Sequence, residues 1–274
     1  EALLNYGICL LKTNQGIDAI RVFQNLIQGS KNDQIITDSF QFLASCFEKE
    51  KNMKESIKLL EESLKKYPQQ KNQLFLHKEC VRLYHLLSDF ESAIKHLNIV
   101  YKETTDPNSQ AEALFQLAGY DLKSETQTLT ESGQQKLKLI LQNHPKTLVA
   151  PKAAYLLGQI LISKNKFDEA LPYLEKNVNE YNDIEMTFLS LIEIGNYYYQ
   201  TNDFAKANEY YKKINFQDTS ENFKKNDALK ESVLIKKADS QFQLKEFPSA
   251  KDEYMNLIRM NRENSFYKIR YSQS

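Results

Sequence analysis

Tyr155-Leu156-Leu157-Gly158 is followed by Lys166-Phe167-Asp168-Glu169-Ala170-Leu171, and the same grammar returns as Leu191-Ile192-Glu193-Ile194-Gly195 followed by Asp203-Phe204-Ala205-Lys206-Ala207. In both copies an Ala stands twelve residues after the Gly, and the copies lie 37 residues apart. Each copy reads as two short amphipathic helices that cross where small residues let the backbones approach. Neither pair can bury its apolar face alone, so the pairs must stack on one another.

The pattern extends outward in both directions. With the small residue of the first helix as marker, it falls at Gly7, Ala44, Val81, Ala118, Gly158, Gly195 and Ala238, in steps of 37, 37, 37, 40, 37 and 43. Twelve residues after the marker come Ala19, Ser56, Ala93, Ala170, Ala207 and Ala250; four later come the bulky Phe23, Leu60, Leu97, Leu174, Tyr211 and Tyr254. The sequence therefore predicts an all-α solenoid of about seven helix-turn-helix units. They cover residues 1–36, 37–73, 74–110, 111–148, 151–186, 188–226 and 228–262 of a single array, with 263–274 as a capping helix or the opening of an eighth repeat. The step of 40 predicts a polar loop over 123–132 and a shortened or displaced second helix over about 134–142. The step of 43 predicts an exposed loop or extended helix start over 216–227. Pro172, a few residues into its helix, predicts a mild bend and no break.

Composition narrows the function classes. Thirty-six basic residues balance thirty-six acidic ones, so no overall field favours nucleic acid or an anionic membrane. No apolar run approaches the roughly 18–20 residues that span a bilayer, so no direct membrane insertion is expected. The sequence opens at Glu1 without Met or signal peptide, which suggests an excerpt of a longer array whose targeting segment lies elsewhere. Cys9, Cys46 and Cys80 are odd in number and lack CxxC spacing. They are expected to be buried small side chains and not a disulfide framework or zinc site.

Catalytic chemistry finds no foothold. His77, His85, His96 and His144 show no metal-ligand spacing, and no phosphate-cradling or nucleophile-elbow motif occurs. Neighbouring acids such as Glu61 and Glu62 point about 100° apart on a helix, which suits a solvated face better than acid–base work. The expectation is no catalytic residue, no metal, no cofactor and no enzyme.

The recurring slots resemble the tetratricopeptide repeat. Unit six matches with Gly195, Tyr198, Ala207 and Tyr211, unit five with Gly158, Leu161, Ala170 and Leu174, and unit two with Ala44, Phe47, Ser56, Leu60 and Pro68. The period of 37 departs from the family's roughly 34 residues, the Trp slot is never Trp, and units four and seven are degenerate. Residues 64–68 and 143–158 are similar to repeats of bacterial cell-envelope proteins, which recruit partners for outer-membrane assembly or cell-wall work. The resemblance implies a right-handed solenoid whose first helices line a concave surface for a protein or peptide.

The family's inward positions fall here on Phe75, Lys78, Arg82 and His85; on Tyr155, Gln159 and Ile162; on Asn196, Tyr199 and Gln200; and on Lys236 and Gln243. Aromatic rings beside Lys, Arg and Asn suit a peptide groove. The alternatives are that Tyr155, Tyr197, Tyr198 and Tyr199 pack between repeats and that Lys78 and Arg82 sit in solvent. The family's Lys/Asn carboxylate clamp would fall on Leu4, Ile8, Gln41 and Ser45, which cannot form it. The reading is a non-catalytic protein–protein interaction scaffold in a bacterial cell-envelope complex, with periplasm or envelope favoured over cytoplasm. Its alternatives are a self-assembling oligomer and a regulatory segment of a larger protein that carries a catalytic domain elsewhere.

Overall fold

A computed structural model describes residues 1–124, 126–260 and 265–273. Among them the chain is helix and turn, with no strand. It divides into two compact units, Glu1–Lys136 and Leu137–Ser274.

The first unit holds α1 (Ala2–Lys12), α2 (Gly16–Gly29), α3 (Asp33–Lys49), α4 (Met53–Lys66), α5 (Gln73–Leu86), α6 (Phe90–Glu103), α7 (Pro107–Leu122) and the start of α8 (Gln127–Asn143). The second holds the rest of α8, then α9 (Ala150–Ser163), α10 (Phe167–Asn179), α11 (Ile184–Gln200), α12 (Phe204–Lys212), α13 (Glu221–Lys224), α14 (Asp227–Gln243), α15 (Phe247–Met260) and α16 (Ser265–Gln273). From α1 to α7 every helix packs on the one before it, and so does every helix from α10 to α12.

One turn is used six times. Asn14, Lys51, Ser88, Asn165, Asn202 and Lys245 each stand seven residues after a marker with φ between 58° and 63°. Behind each, the next residue closes the preceding helix, as when Gln15 N–H donates to the Leu10 carbonyl and Asp203 N–H to that of Tyr198, both at 2.9 Å. The left-handed residue followed by a backward bond satisfies carbonyls that the ended helix leaves open. The next helix starts at once, and in three turns its N-cap side chain accepts from a backbone N–H: Asn52 from Glu55, Asp89 from Ser92 and Asp203 from Lys206.

All seven markers, the six small residues and the six bulky ones are buried. A Cβ on Gly7, Gly158 or Gly195 would fall 2.6–2.7 Å from the side chains of Phe23, Leu174 or Tyr211, the bulky residues of the same pairs. The crossing is as tight as the small-and-large alternation requires.

The second helix of the fourth pair is not short: α8 runs 17 residues, and the three extra residues extend its start. Gly133 takes the slot that Ala fills elsewhere, with its Cβ position 3.1 Å from the Ala118 carbonyl and 2.8 Å from Leu122 Cγ. The stretch 216–227 is neither loop nor helix extension. A 3-10 turn at Phe216–Asp218 and the short α13 fold back so that Phe216 and Phe223 sit 5.2 and 5.3 Å from the Phe188 ring, centroid to centroid. Pro172 stands inside a continuous α10. The expected boundary at 262/263 lies outside the described residues, but residues 265–273 form α16, which packs on α15 and buries Tyr267.

The cysteine expectation is corrected at one position: Cys9 is exposed, while Cys46 and Cys80 are buried. Burial pushes the Cys46 thiol up to about 11 and the Cys80 thiol up to about 12. We expect an aromatic disulfide reagent at pH 8 to titrate one thiol per native chain and three after denaturation. Three fast thiols in the native protein would contradict this packing.

Candidate functional site

In the first unit the side chains expected on the inward positions converge between α5 and α7. Lys78, Arg82 and His85 of α5 and Phe115, Gln116 and Tyr120 of α7 line a groove of about 610 Å³, closed at one end by Lys123. Val81, Leu86 and Gly119 line it too, as do Glu79 and Glu112. Phe75 is exposed and not part of the lining.

Arg82 is not a free cation. Its guanidinium forks onto Glu48 of α3 with two bonds of 2.7 Å and also holds Glu79 at 2.8 Å. His85 Nδ1 lies 2.9 Å from the Tyr120 hydroxyl. Lys78 Nζ donates to Ser109 Oγ at 2.9 Å, and Lys123 Nζ sits 5.9 Å above the Phe90 ring. Among the described residues neither lysine makes an ion pair.

In the second unit the inward positions form a ladder between first helices. Gln159 Nε2 donates to Glu193 Oε1 at 3.2 Å and to the Tyr155 hydroxyl at 2.7 Å, which itself donates to Glu193. Asn196 Oδ1 accepts from Lys236 Nζ at 2.7 Å and from the Tyr211 hydroxyl at 3.0 Å. Tyr199 donates to Asp239 at 3.1 Å. Burial pulls the Lys236 ammonium below the ordinary lysine range, with Glu193 opposing it. Burial, and then the Glu193 charge, pushes the Tyr155 phenol up. Ile162 packs in the core beside Phe167, and Gln200 and Gln243 are exposed.

The ladder obeys a spacing that could have been read in advance. The residue four after a marker meets the residue one or two after the next marker: Glu48 with Arg82, His85 with Tyr120, Tyr199 with Asp239. The residue one after a marker meets the residue two before the next: Gln159 with Glu193, Asn196 with Lys236. Reading single positions found both members of the Asn196–Lys236 pair but only half of the other four, and missed Glu48, Tyr120, Glu193 and Asp239.

A second cluster lay outside the sequence-based reading. His77 Nδ1 of α5 and His96 Nδ1 of α6 are 2.8 Å apart. His96 Nε2 is 3.6 Å from Glu61 of α4, which accepts a 2.5 Å bond from the Tyr84 hydroxyl. Burial and then the neighbouring imidazole pull His77 down to about 4, and burial lowers His96 against the Glu61 charge. Among the described residues no group of three His, Cys, Asp or Glu side chains could hold a metal, and no helix is long and apolar enough to cross a membrane.

Two family models described as tetratricopeptide repeat match residues 43–69 and 151–179. No curated protein matches the sequence. The C-terminal part of a TPR repeat-containing protein from Cytophaga hutchinsonii is similar, with TM-score 0.65 and 17% identity over 97% of this chain and 98% of that one. A tetratricopeptide repeat protein from Parabacteroides merdae gives 0.53 and 13% over 99% and 97%. A chain in the structure of Naa15/Naa10 bound to HypK-THB gives 0.52 and 15%, over 98% of this chain and 38% of that one. At such identities the likeness concerns the fold.

Proposed function

We propose that this chain, a tetratricopeptide-repeat protein, is a non-catalytic scaffold that binds an extended peptide of a partner protein between α5 and α7. Repeats of this family suggest protein-interaction scaffolds in general and are typically non-catalytic. The observation that carries the finer reading is the groove itself. Its lining is apolar at Val81, Leu86 and Phe115, and two lysines without ion pairs, Lys78 and Lys123, stand on it as well. An apolar side chain in the groove gains by leaving water. A carboxylate beside it gains a charge-assisted bond from a lysine whose partner is at present a hydroxyl or a ring face. The matching ligand is therefore a peptide with a bulky apolar residue flanked by Asp or Glu. Tyr67-Pro68 after α4 and the likeness of residues 143–158 to envelope repeats support a place in a bacterial cell-envelope complex.

The test is selection from a random peptide library followed by titration of the best sequence. We expect acidic-apolar peptides, with affinity reduced tenfold or more by Lys78→Glu with Lys123→Glu and by Phe115→Ala. Arg82→Glu is the wrong probe, since it would set a third carboxylate against Glu48 and Glu79 and disturb the fold. Undiminished affinity in both variants would remove the groove from the binding surface.

A further inference from the structure

We infer that the hollow between the α8–α9 and α10–α11 junctions is a self-association surface, on which a second copy of this chain docks about a two-fold axis. The hollow lies wholly within the second unit and measures about 840 Å³; residues of 145–152 form one wall and residues of 176–185 the other. Two of its residues break the rule of the repeat. Leu148 stands ten residues before its marker, a slot that Gln34, Lys71, Asn108, Glu185 and Ala228 fill elsewhere. Ile184 stands eleven before its marker, where the others are Asp33, Gln70, Pro107, Thr147 and Asp227. Both slots fall at or just before the start of a first helix, and no other repeat puts a large aliphatic side chain in either. Leu148 is 81% exposed and Ile184 is 59% exposed, yet they line the same hollow, with Pro145, Pro151 and Tyr181 beside them. One exposed apolar residue is ordinary, whereas two that converge in this way mark an interaction surface.

The charges say what covers it. The first wall carries Lys146 and Lys152 and no acid; the second carries Glu180, Asp183 and Glu185 against Lys176 alone. Among the described residues no ion pair crosses the hollow, and the pair within it, Lys176 with Glu180 at 3.7 Å, lies on a single wall. A partner of one sign would be drawn to one wall and repelled by the other. The same surface turned through 180° satisfies both. Lys146 and Lys152 then face Glu180 and Glu185 of the other copy, Leu148 enters the other hollow against Ile184, and every contact is made twice, as a two-fold interface requires. The contact buries four aliphatic side chains on a small area, which places it among the weak, reversible interfaces.

The experiment is sedimentation equilibrium of the whole chain from about 1 μM to about 1 mM, the range in which a weak dimer forms. We expect a monomer–dimer equilibrium with no larger species, because a two-fold contact closes on itself. Leu148→Asp should weaken dimerisation tenfold or more while circular dichroism and melting stay as in the parent. Lys146→Glu with Lys152→Glu should do the same, and so should Glu180→Lys with Glu185→Lys; Asp183 is left in place because its side chain caps α11. Mixed in equal amounts, these two charge-reversed chains should dimerise again, since every contact then joins opposite signs. Lys78→Glu with Lys123→Glu should dimerise as the parent does, which separates this surface from the peptide groove. A chain that stays monomeric throughout, a dimer indifferent to Leu148→Asp, reversed chains that remain apart when mixed, or masses that grow past the dimer would each overturn the inference. So would a dimer lost in the Lys78/Lys123 variant, because it would move the contact to the groove.

Discussion

Gly195→Ala should destabilise the second unit by about 1–3 kcal/mol, the range found for overfilling a packed interior. The same substitution at Gly119 should leave stability unchanged or raise it by up to about 1 kcal/mol. Both glycines lie inside helices, where Ala is the better helix former, so propensity alone predicts a gain at each. What differs is the space. A Cβ on Gly119 meets nothing within 4 Å, whereas one on Gly195 falls 2.6 Å from Tyr211 Cε1 and 2.9 Å from Cδ1. That ring is 1% exposed, and its hydroxyl is tied to Asn196. It cannot swing aside without breaking the bond or opening the core. Gly158 faces Leu174 at 2.6 Å, and because a Leu has more rotamers to try than a tethered Tyr, the cost there should be smaller. Urea unfolding of the three variants decides the matter. If Gly195→Ala were as stable as Gly119→Ala, the crossing would not be the tight contact it is taken for.

That crossing was legible in the sequence because close packing restricts residue size at both partners, and Gly158 with Leu174 or Gly195 with Tyr211 record the restriction directly. The turns are harder to read, for a physical reason. The position with φ near 60° is occupied by Asn, Lys or Ser, so the glycine that ordinarily marks a helix end is missing. Three residues inserted before Gly133 broke the count of twelve, and without the count Gly133 was not recognised as the small partner of Ala118. Phe216 and Phe223 looked like loop residues because their partner, Phe188, lies far back in the chain.

The candidate site divides in the same way. Lys78, Arg82 and His85 fall on one groove because one helix face places them there. What each does depends on the neighbouring repeat. Arg82 looked like a ligand-binding cation and proves to be held by Glu48, 34 residues upstream. Lys236 and Asn196 looked like two separate contacts and are bonded to each other. A repeat whose polar residues answer one another across a step of 34 to 40 residues must be read in pairs.

Acid should weaken the first unit well before general acid unfolding, and the imidazole pair is the reason. His77 is held near 4 in the folded chain, against about 6.5 in an unfolded one. Above pH 6.5 it is neutral in both states and contributes no pH dependence. Between 6.5 and about 4 the unfolded chain binds a proton that the folded chain does not, so stability falls as pH falls. Because solvent reaches part of the ring, the loss is put at about 1–2 kcal/mol and not at the full shift. His96 acts in the same direction, opposed by Glu61. The other charges on this groove are Lys65, Lys71 and Glu103. The comparison belongs between pH 7.5 and 5.5, above the range in which carboxylates ordinarily titrate. There the parent should lose stability in urea and His77→Gln, lacking an imidazole to protonate, should lose less. Equal losses would mean that the two rings do not share one buried site, and the placement of α6 against α5 would have to be redrawn.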